Sequence, residues 1–207
     1  MLFKLYVFLL FSTGTLAAIS CLLFNKKNNE LFKKSIVIWF IIRLLGDIIS
    51  YILKVKLNLN LYPVFHFSIL IEGMLMINYF QSMKRMYTKR SYYLYLIPII
   101  AFIIDVLFLG SFIESPRLGY FFYYLLCSGL FFILLKSSIK IDQFNFIIIK
   151  VLFVYHSVLF CYSLFENIIR KDTVLMPLIY PFFLLFVISL NLFFSYFLWS
   201  RRKLKIH

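Results

Sequence analysis

Seven predominantly apolar stretches of about 20 residues, at positions 5–24, 35–53, 63–82, 92–110, 118–136, 146–167 and 175–200, dominate the chain. Each is long enough to cross a hydrocarbon core about 30 Å thick as a helix rising about 1.5 Å per residue. In lipid a chain must satisfy its own backbone N–H and C=O groups, which only helices and closed barrels do. These runs are too long and unbroken for barrel strands. They predict an all-α fold: one polytopic membrane domain over residues 1–207, an integral bundle of seven transmembrane helices.

Composition agrees. The chain is 63% apolar and 21% aromatic but only 14% charged, with a mean hydropathy of +0.94. Soluble domains run about 45–50% apolar and about 25% charged, so a soluble globular domain, a disordered chain and a disulfide scaffold are all excluded. Cys21, Cys127 and Cys161 lie inside apolar runs at spacings that match no zinc, haem or redox motif, and read as packing residues. No metal site and no cofactor is expected.

The net charge of +14 is concentrated in the short connections. One set of alternate connections and the C-terminal tail carry Lys26, Lys27, Lys33, Lys34, Lys84, Arg85, Lys89, Arg90, Lys136, Lys140, Arg201, Arg202, Lys203 and Lys205, fourteen in all. The other side carries six: Lys4, Lys54, Lys56, Arg117, Arg170 and Lys171. Cytoplasmic loops are enriched in Lys and Arg, which predicts an N-terminus outside, a C-terminus in the cytoplasm and an odd number of spans. The implied location is a bacterial cytoplasmic (inner) membrane. A cleaved signal peptide ending before Cys21 is rejected, because it would place the cluster Lys26 to Lys34 outside, against the charge bias. Aromatics at the span ends, among them Tyr62, Tyr87, Tyr92, Tyr93, Tyr120, Tyr196 and Trp199, read as interfacial anchors.

Ionisable groups inside spans carry the functional information, since each costs about 2.5–3.5 kcal/mol at mid-bilayer on insertion scales. Arg43, Asp47, Glu72, Asp105 and His156, with the polar Asn191, all fall about 12–20 Å from the cytoplasmic face at 1.5 Å per residue. They are expected to form one buried polar layer. Arg43 and Asp47 stand four apart on one helix, within reach of a local ion pair. Glu72 has no such partner on its own helix, and His156 is the natural candidate for a contact; the alternative is a buried neutral His156 bonded to a backbone carbonyl or a tyrosine, with Glu72 protonated. Asp105 is the most isolated, with Pro98 two turns before it. Lys150 and His66 lie near span ends, where they can reach the interface. No HExxH, GxSxG or glycine-rich phosphate loop is present, and no catalytic residue is assigned.

The cytoplasmic face defined by Lys84, Arg85, Lys89, Arg90, Arg201, Arg202, Lys203 and Lys205 is expected to meet anionic lipid, and it suits a cytoplasmic protein or ribonucleoprotein partner. Gly14 with Ala18, and Gly46 with Ser50, place small residues four apart, permitting close helix contact within the chain or in a homo-oligomer. In length, composition and span content the chain resembles the membrane accessory proteins that accompany the RNA-targeting effector of type VI-B CRISPR systems. That resemblance implies a modulating role on the effector and transfers no site residue. Three readings follow. The first is a non-enzymatic regulatory, sensory or accessory membrane protein. The second is a proton- or ion-coupled transporter or channel using the carboxylate/His layer, and the third an intramembrane lipid-modifying enzyme. A dry, self-paired layer favours the first, and a water-filled cavity at the carboxylates favours the others.

Overall fold

The computed structural model describes residues 2–27, 31–84, 89–109, 117–136, 143–171 and 175–204, and every regular element among them is helical. In chain order these are α1 (Leu2–Lys27), α2 (Leu31–Tyr51), α3 (Tyr62–Lys84), α4 (Leu96–Ile104), α5 (Arg117–Lys136), α6 (Gln143–Lys171) and α7 (Leu175–Leu204). Two helices widen into π-helical turns at their C-terminal ends, α2 over Ile52–Lys56 and α4 over Asp105–Leu109. A 3-10 segment, Lys89–Tyr95, leads into α4. Pro98, third in α4, has no N–H to give to the preceding turn, and the chain enters through a tighter winding that ends at Tyr95, just before α4 begins.

Five stretches are long and apolar enough to cross a membrane: Lys34–Lys56, Tyr62–Met83, Gly119–Lys136, Asn145–Phe165 and Pro181–Ser200. Two more apolar helical stretches, Phe8–Leu23 and Tyr92–Phe108, are shorter. Large apolar side chains stay exposed along these helices, including Phe8, Phe108, Phe182 and Tyr196. Such a surface would aggregate in water and is what lipid tails solvate.

Between α2 and α3 the chain turns through Asn58, whose φ of 52° places it in the left-handed region that asparagine tolerates better than most side chains. Asn60 Oδ1 then accepts the N–H of Tyr62, which satisfies one of the first-turn donors of α3.

The contacts group the chain into two compact units. The first, Met1–Ile48 with Glu166–His207, contains α1, most of α2 and α7. Here α1 runs along α7, and a Cβ at Gly14 would stand 3.5 Å from Leu44 Cδ1 and 3.8 Å from Asn191 Nδ2. Gly14 thus serves packing within the chain. Phe40 of α2 meets Phe194 of α7 edge-on, ring centroids 5.1 Å apart. The second unit, Ile49–Phe165, contains α3, α4, α5 and most of α6. Its core is built from the i, i+3/i+4 rows Ile69, Gly73, Met76, Ile77 and Phe80 on α3, and Gly119, Tyr123, Cys127, Leu130, Phe131 and Leu134 on α5. Both rows are buried. At Gly73, α3 lies close against its neighbours: a Cβ there would meet Pro98 Cβ at 3.2 Å and Tyr123 Cδ2 at 3.6 Å.

Candidate functional site

In the second unit, α3, α5 and α6 bring Glu72, Tyr123 and His156 together. Tyr123 Oη donates to Glu72 Oε2 at 3.1 Å and lies 3.3 Å from His156 Nε2. On the far side of the imidazole, His156 Nδ1 is 2.7 Å from the carbonyl oxygen of Leu152, one turn back on its own helix. His156 is 0% exposed and Tyr123 4%, while Glu72 is half-buried. Aromatic rings close the site: Tyr155, Tyr123 and Phe131 stand 5.0, 5.6 and 5.4 Å from the imidazole centroid. The Tyr123 hydroxyl links Glu72 and His156, the two groups matched by depth, and His156 meets a backbone carbonyl and a tyrosine. Depth fixes how far along its helix a group sits, and it leaves room for a third side chain between two groups at the same level.

Asp105, isolated along its own helix, finds its partner in the backbone of another. Its Oδ2 accepts the N–H of Gly119 in the first turn of α5, where the helix has no internal acceptor to offer. A carboxyl group suits that position also because the positive end of the helix dipole faces it. Asp105 is buried, and it begins the π-helical turn at the end of α4. Beside it is a cavity of about 10 Å³, bounded by His66, Pro98, Asp105, Gly119 and Tyr123 among mostly apolar neighbours. That is space on the order of one water molecule. His66, expected near the interface, is instead only 3% exposed and stands edge-on to Phe102 at 6.1 Å. It lies seven residues before Gly73, on the packed face of α3.

The first unit holds the remaining polar groups of the expected layer. Arg43 and Asp47 are both half-buried on α2, one turn apart, and the Arg43 charge acts on Asp47. One turn earlier, Trp39 is fully buried with its ring centroid 5.5 Å from the Arg43 guanidinium carbon, a cation–π distance. Asn191 of α7 donates from Nδ2 to Thr13 Oγ1 of α1 at 3.5 Å, and Thr13 donates in turn to the Leu9 carbonyl at 2.8 Å. Both residues are 5% exposed.

Of the basic face, Lys84 belongs to α3, Lys89 and Arg90 to the 3-10 segment, and Arg201, Arg202 and Lys203 to α7. Arg85 and Lys205 lie outside the described residues, as does the expected anchor Tyr87. Tyr92, Tyr93, Tyr196 and Trp199 are exposed, while Tyr120 is half-buried and stacks on Tyr124 at 5.8 Å.

Sequence reading missed Tyr123, Thr13 and Trp39 as partners. A signal for Tyr123 was present: it stands four residues from Gly119 and four from Cys127, small residues whose spacing marks the packed face of α5. Among the described residues no group of three or more His, Cys, Asp and Glu side chains is placed to hold a metal ion. Comparison with protein-family models, with curated proteins and with solved structures finds no match.

Proposed function

We propose that this chain is a multi-pass membrane protein of a bacterial inner membrane that acts as a non-enzymatic regulatory or accessory component. It crosses seven times, N-terminus outside, and presents the basic face of Lys84, Arg85, Lys89, Arg90 and the tail Arg201, Arg202, Lys203 and Lys205 to the cytoplasm. Support for seven crossings comes from the two shorter apolar helices Phe8–Leu23 and Tyr92–Phe108, which join the five long ones to make an odd number. The charge bias then sets the orientation.

One observation carries the functional reading: Arg43, Glu72, Asp105, His156 and Asn191 of the expected layer each have a partner inside their own unit. Asp105 caps α5, Asn191 bonds Thr13, Arg43 stands over the ring of Trp39, and Glu72 reaches His156 through Tyr123. The cavity beside Asp105 is far below the about 300–1,000 Å³ of a small-molecule site. Such a layer holds a bundle together, which leaves the charged inner face as the surface for partners. Anionic lipid is one, through the negative potential of the inner leaflet. The other is a soluble cytoplasmic protein or ribonucleoprotein, for which the resemblance in length, composition and span content suggests an RNA-targeting CRISPR effector.

Crosslinking and mass spectrometry in the native cells test this, comparing wild type with a variant in which Arg201, Arg202, Lys203 and Lys205 are all replaced by Gln and which inserts equally. The reading expects a soluble complex captured by wild type and lost in the variant. The same proteins captured by both, or none by either, overturns it.

A further inference from the structure

Lys136 ends α5, and Lys150 is the sixth residue of the apolar stretch Asn145–Phe165 of α6. Both side chains are exposed. Each amine rests on the face of a phenylalanine one turn before it on its own helix, Lys136 Nζ 5.1 Å from the Phe132 centroid and Lys150 Nζ 4.4 Å from that of Phe146. Among the described residues neither lysine makes a hydrogen bond or an ion pair. A cation on a lipid-facing surface with only a ring beneath it has no counter-charge from the protein, and its long stem lets the amine reach for one outside.

The two lysines face each other across one groove. Six residues join α5 to α6, and the helices pack antiparallel through aromatic side chains: Phe121 on Phe160 at 5.3 Å and, nearer the connection, Phe132 on Phe153 at 6.1 Å. From the second pair, four residues along α5 lead to Lys136 and three back along α6 lead to Lys150. At 1.5 Å per residue these steps are about 6 and about 4.5 Å, so the two Cα atoms stand at nearly one level. Packed helix axes lie about 8–10 Å apart, a gap that two four-carbon stems span to meet on a single group between them. The connection adds no net charge, since Lys140 is balanced by Asp142. Deeper in the bilayer the same side of α5 is exposed and apolar, with Leu125, Gly129 and Phe132 at helical spacing. A Cβ at Gly129 would meet nothing within 4 Å, so the surface there is open.

We propose that Lys136 and Lys150 form a binding site for one anionic phospholipid, its phosphate between the two amines and an acyl chain along the exposed stripe of α5. A phosphodiester has two non-bridging oxygens, one for each amine. A headgroup without a cation of its own, such as phosphatidylglycerol, leaves its charge to the lysines, whereas a choline headgroup brings a competing ammonium. The occupant is a lipid and not free phosphate because Lys150 stands inside the apolar stretch, where a hydrated ion would have to shed its water. Basic pockets between membrane helices bind lipid headgroups in this way. The site uses none of the basic-face residues assigned to a cytoplasmic partner and does not depend on which leaflet it faces, so it goes beyond the partner reading and stands apart from it.

Photocrosslinking of the full chain in phosphatidylcholine vesicles tests it, with a trace of phosphatidylglycerol or of phosphatidylcholine carrying the same diazirine-bearing acyl chain, and with adducts located by mass spectrometry. The phosphatidylglycerol probe is expected to mark α5 and α6 around Gly129, Phe132 and Val154 in preference to the phosphatidylcholine probe. K136Q and K150Q, exposed changes that leave the packed faces intact, are each expected to lower that preference about fivefold, the effect of one basic residue near an anionic leaflet. The variant with Arg201, Arg202, Lys203 and Lys205 replaced by Gln is expected to keep it. Equal marking by the two probes in the wild type overturns the proposal and decides the question alone if a variant does not insert. Marking unchanged in both K136Q and K150Q overturns it too, as does loss in the tail variant, which would mean general attraction to charge. Displacement of the phosphatidylglycerol probe by excess inorganic phosphate would make this a free-phosphate site and overturns it as well.

Discussion

Asp105 closes the first turn of α5 by accepting the backbone N–H of Gly119, so a carboxyl group at the end of one helix caps the start of the next. Removing the acceptor leaves a buried N–H unsatisfied, at about 1–3 kcal/mol. D105L is therefore expected to lower stability by that amount in mixed-micelle unfolding. D105N, which keeps an amide oxygen, is expected to lose less. A D105L protein as stable as wild type contradicts the cap.

Gly73 and Gly129 make a matched pair. Alanine at 73 pushes its Cβ against Pro98 at 3.2 Å and toward Tyr123, whereas alanine at 129 meets nothing within 4 Å. Alanine favours a helix interior over glycine by about 0.5–1 kcal/mol. G129A should therefore match or exceed wild-type stability, while G73A forfeits that gain to crowding. The same unfolding assay reads both, and G73A more stable than G129A contradicts the close approach of α3 and α4.

The polar contact between α1 and α7 invites a double-mutant cycle. Hydrogen bonds between membrane helices average about 0.6 kcal/mol of coupling, because unpaired groups find other partners. At 3.5 Å the Asn191–Thr13 bond is a long one, so T13V and N191L are expected to couple by no more than that. Coupling well above 1 kcal/mol means that Asn191 does something other than join these two helices.

Arg43 and Asp47 share one face of α2. Deleting either leaves the other charge in an apolar run, where insertion scales place the cost at about 2.5–3.5 kcal/mol. R43L and D47L should each reduce the amount of protein in the membrane, and the double variant should recover it. A double variant no better than the worse single means that the two charges do not compensate each other.

The helices were legible in the sequence because lipid imposes a length and a composition that a reader can count. The site was legible in part. Helical spacing puts Arg43 and Asp47 one turn apart on α2, and matched depth put Glu72 and His156 at one level, where the structure links them through Tyr123. A backbone carbonyl or a tyrosine was an expected partner for His156, but which groups complete the contacts was not legible, because they are either backbone or apolar in appearance. Asp105 is met by the N–H of Gly119, His156 by the carbonyl of Leu152, and Arg43 by the face of Trp39. A backbone group has no residue type to recognise, and an aromatic in a chain that is 21% aromatic does not stand out. The burial of His66 was hidden for a different reason: position near a span end gives depth, whereas the face of α3 occupied by Gly73 gives burial.

The proposed orientation places the basic face in the cytoplasm, which labelling from one side of the membrane tests directly. Cysteines introduced one at a time as K56C and K203C, in a C161S background that removes the exposed native thiol, can be labelled in intact spheroplasts with a membrane-impermeant maleimide. K56C is expected to react at once, and K203C only after the membrane is opened. Labelling of K203C in intact spheroplasts, with K56C protected, contradicts that orientation.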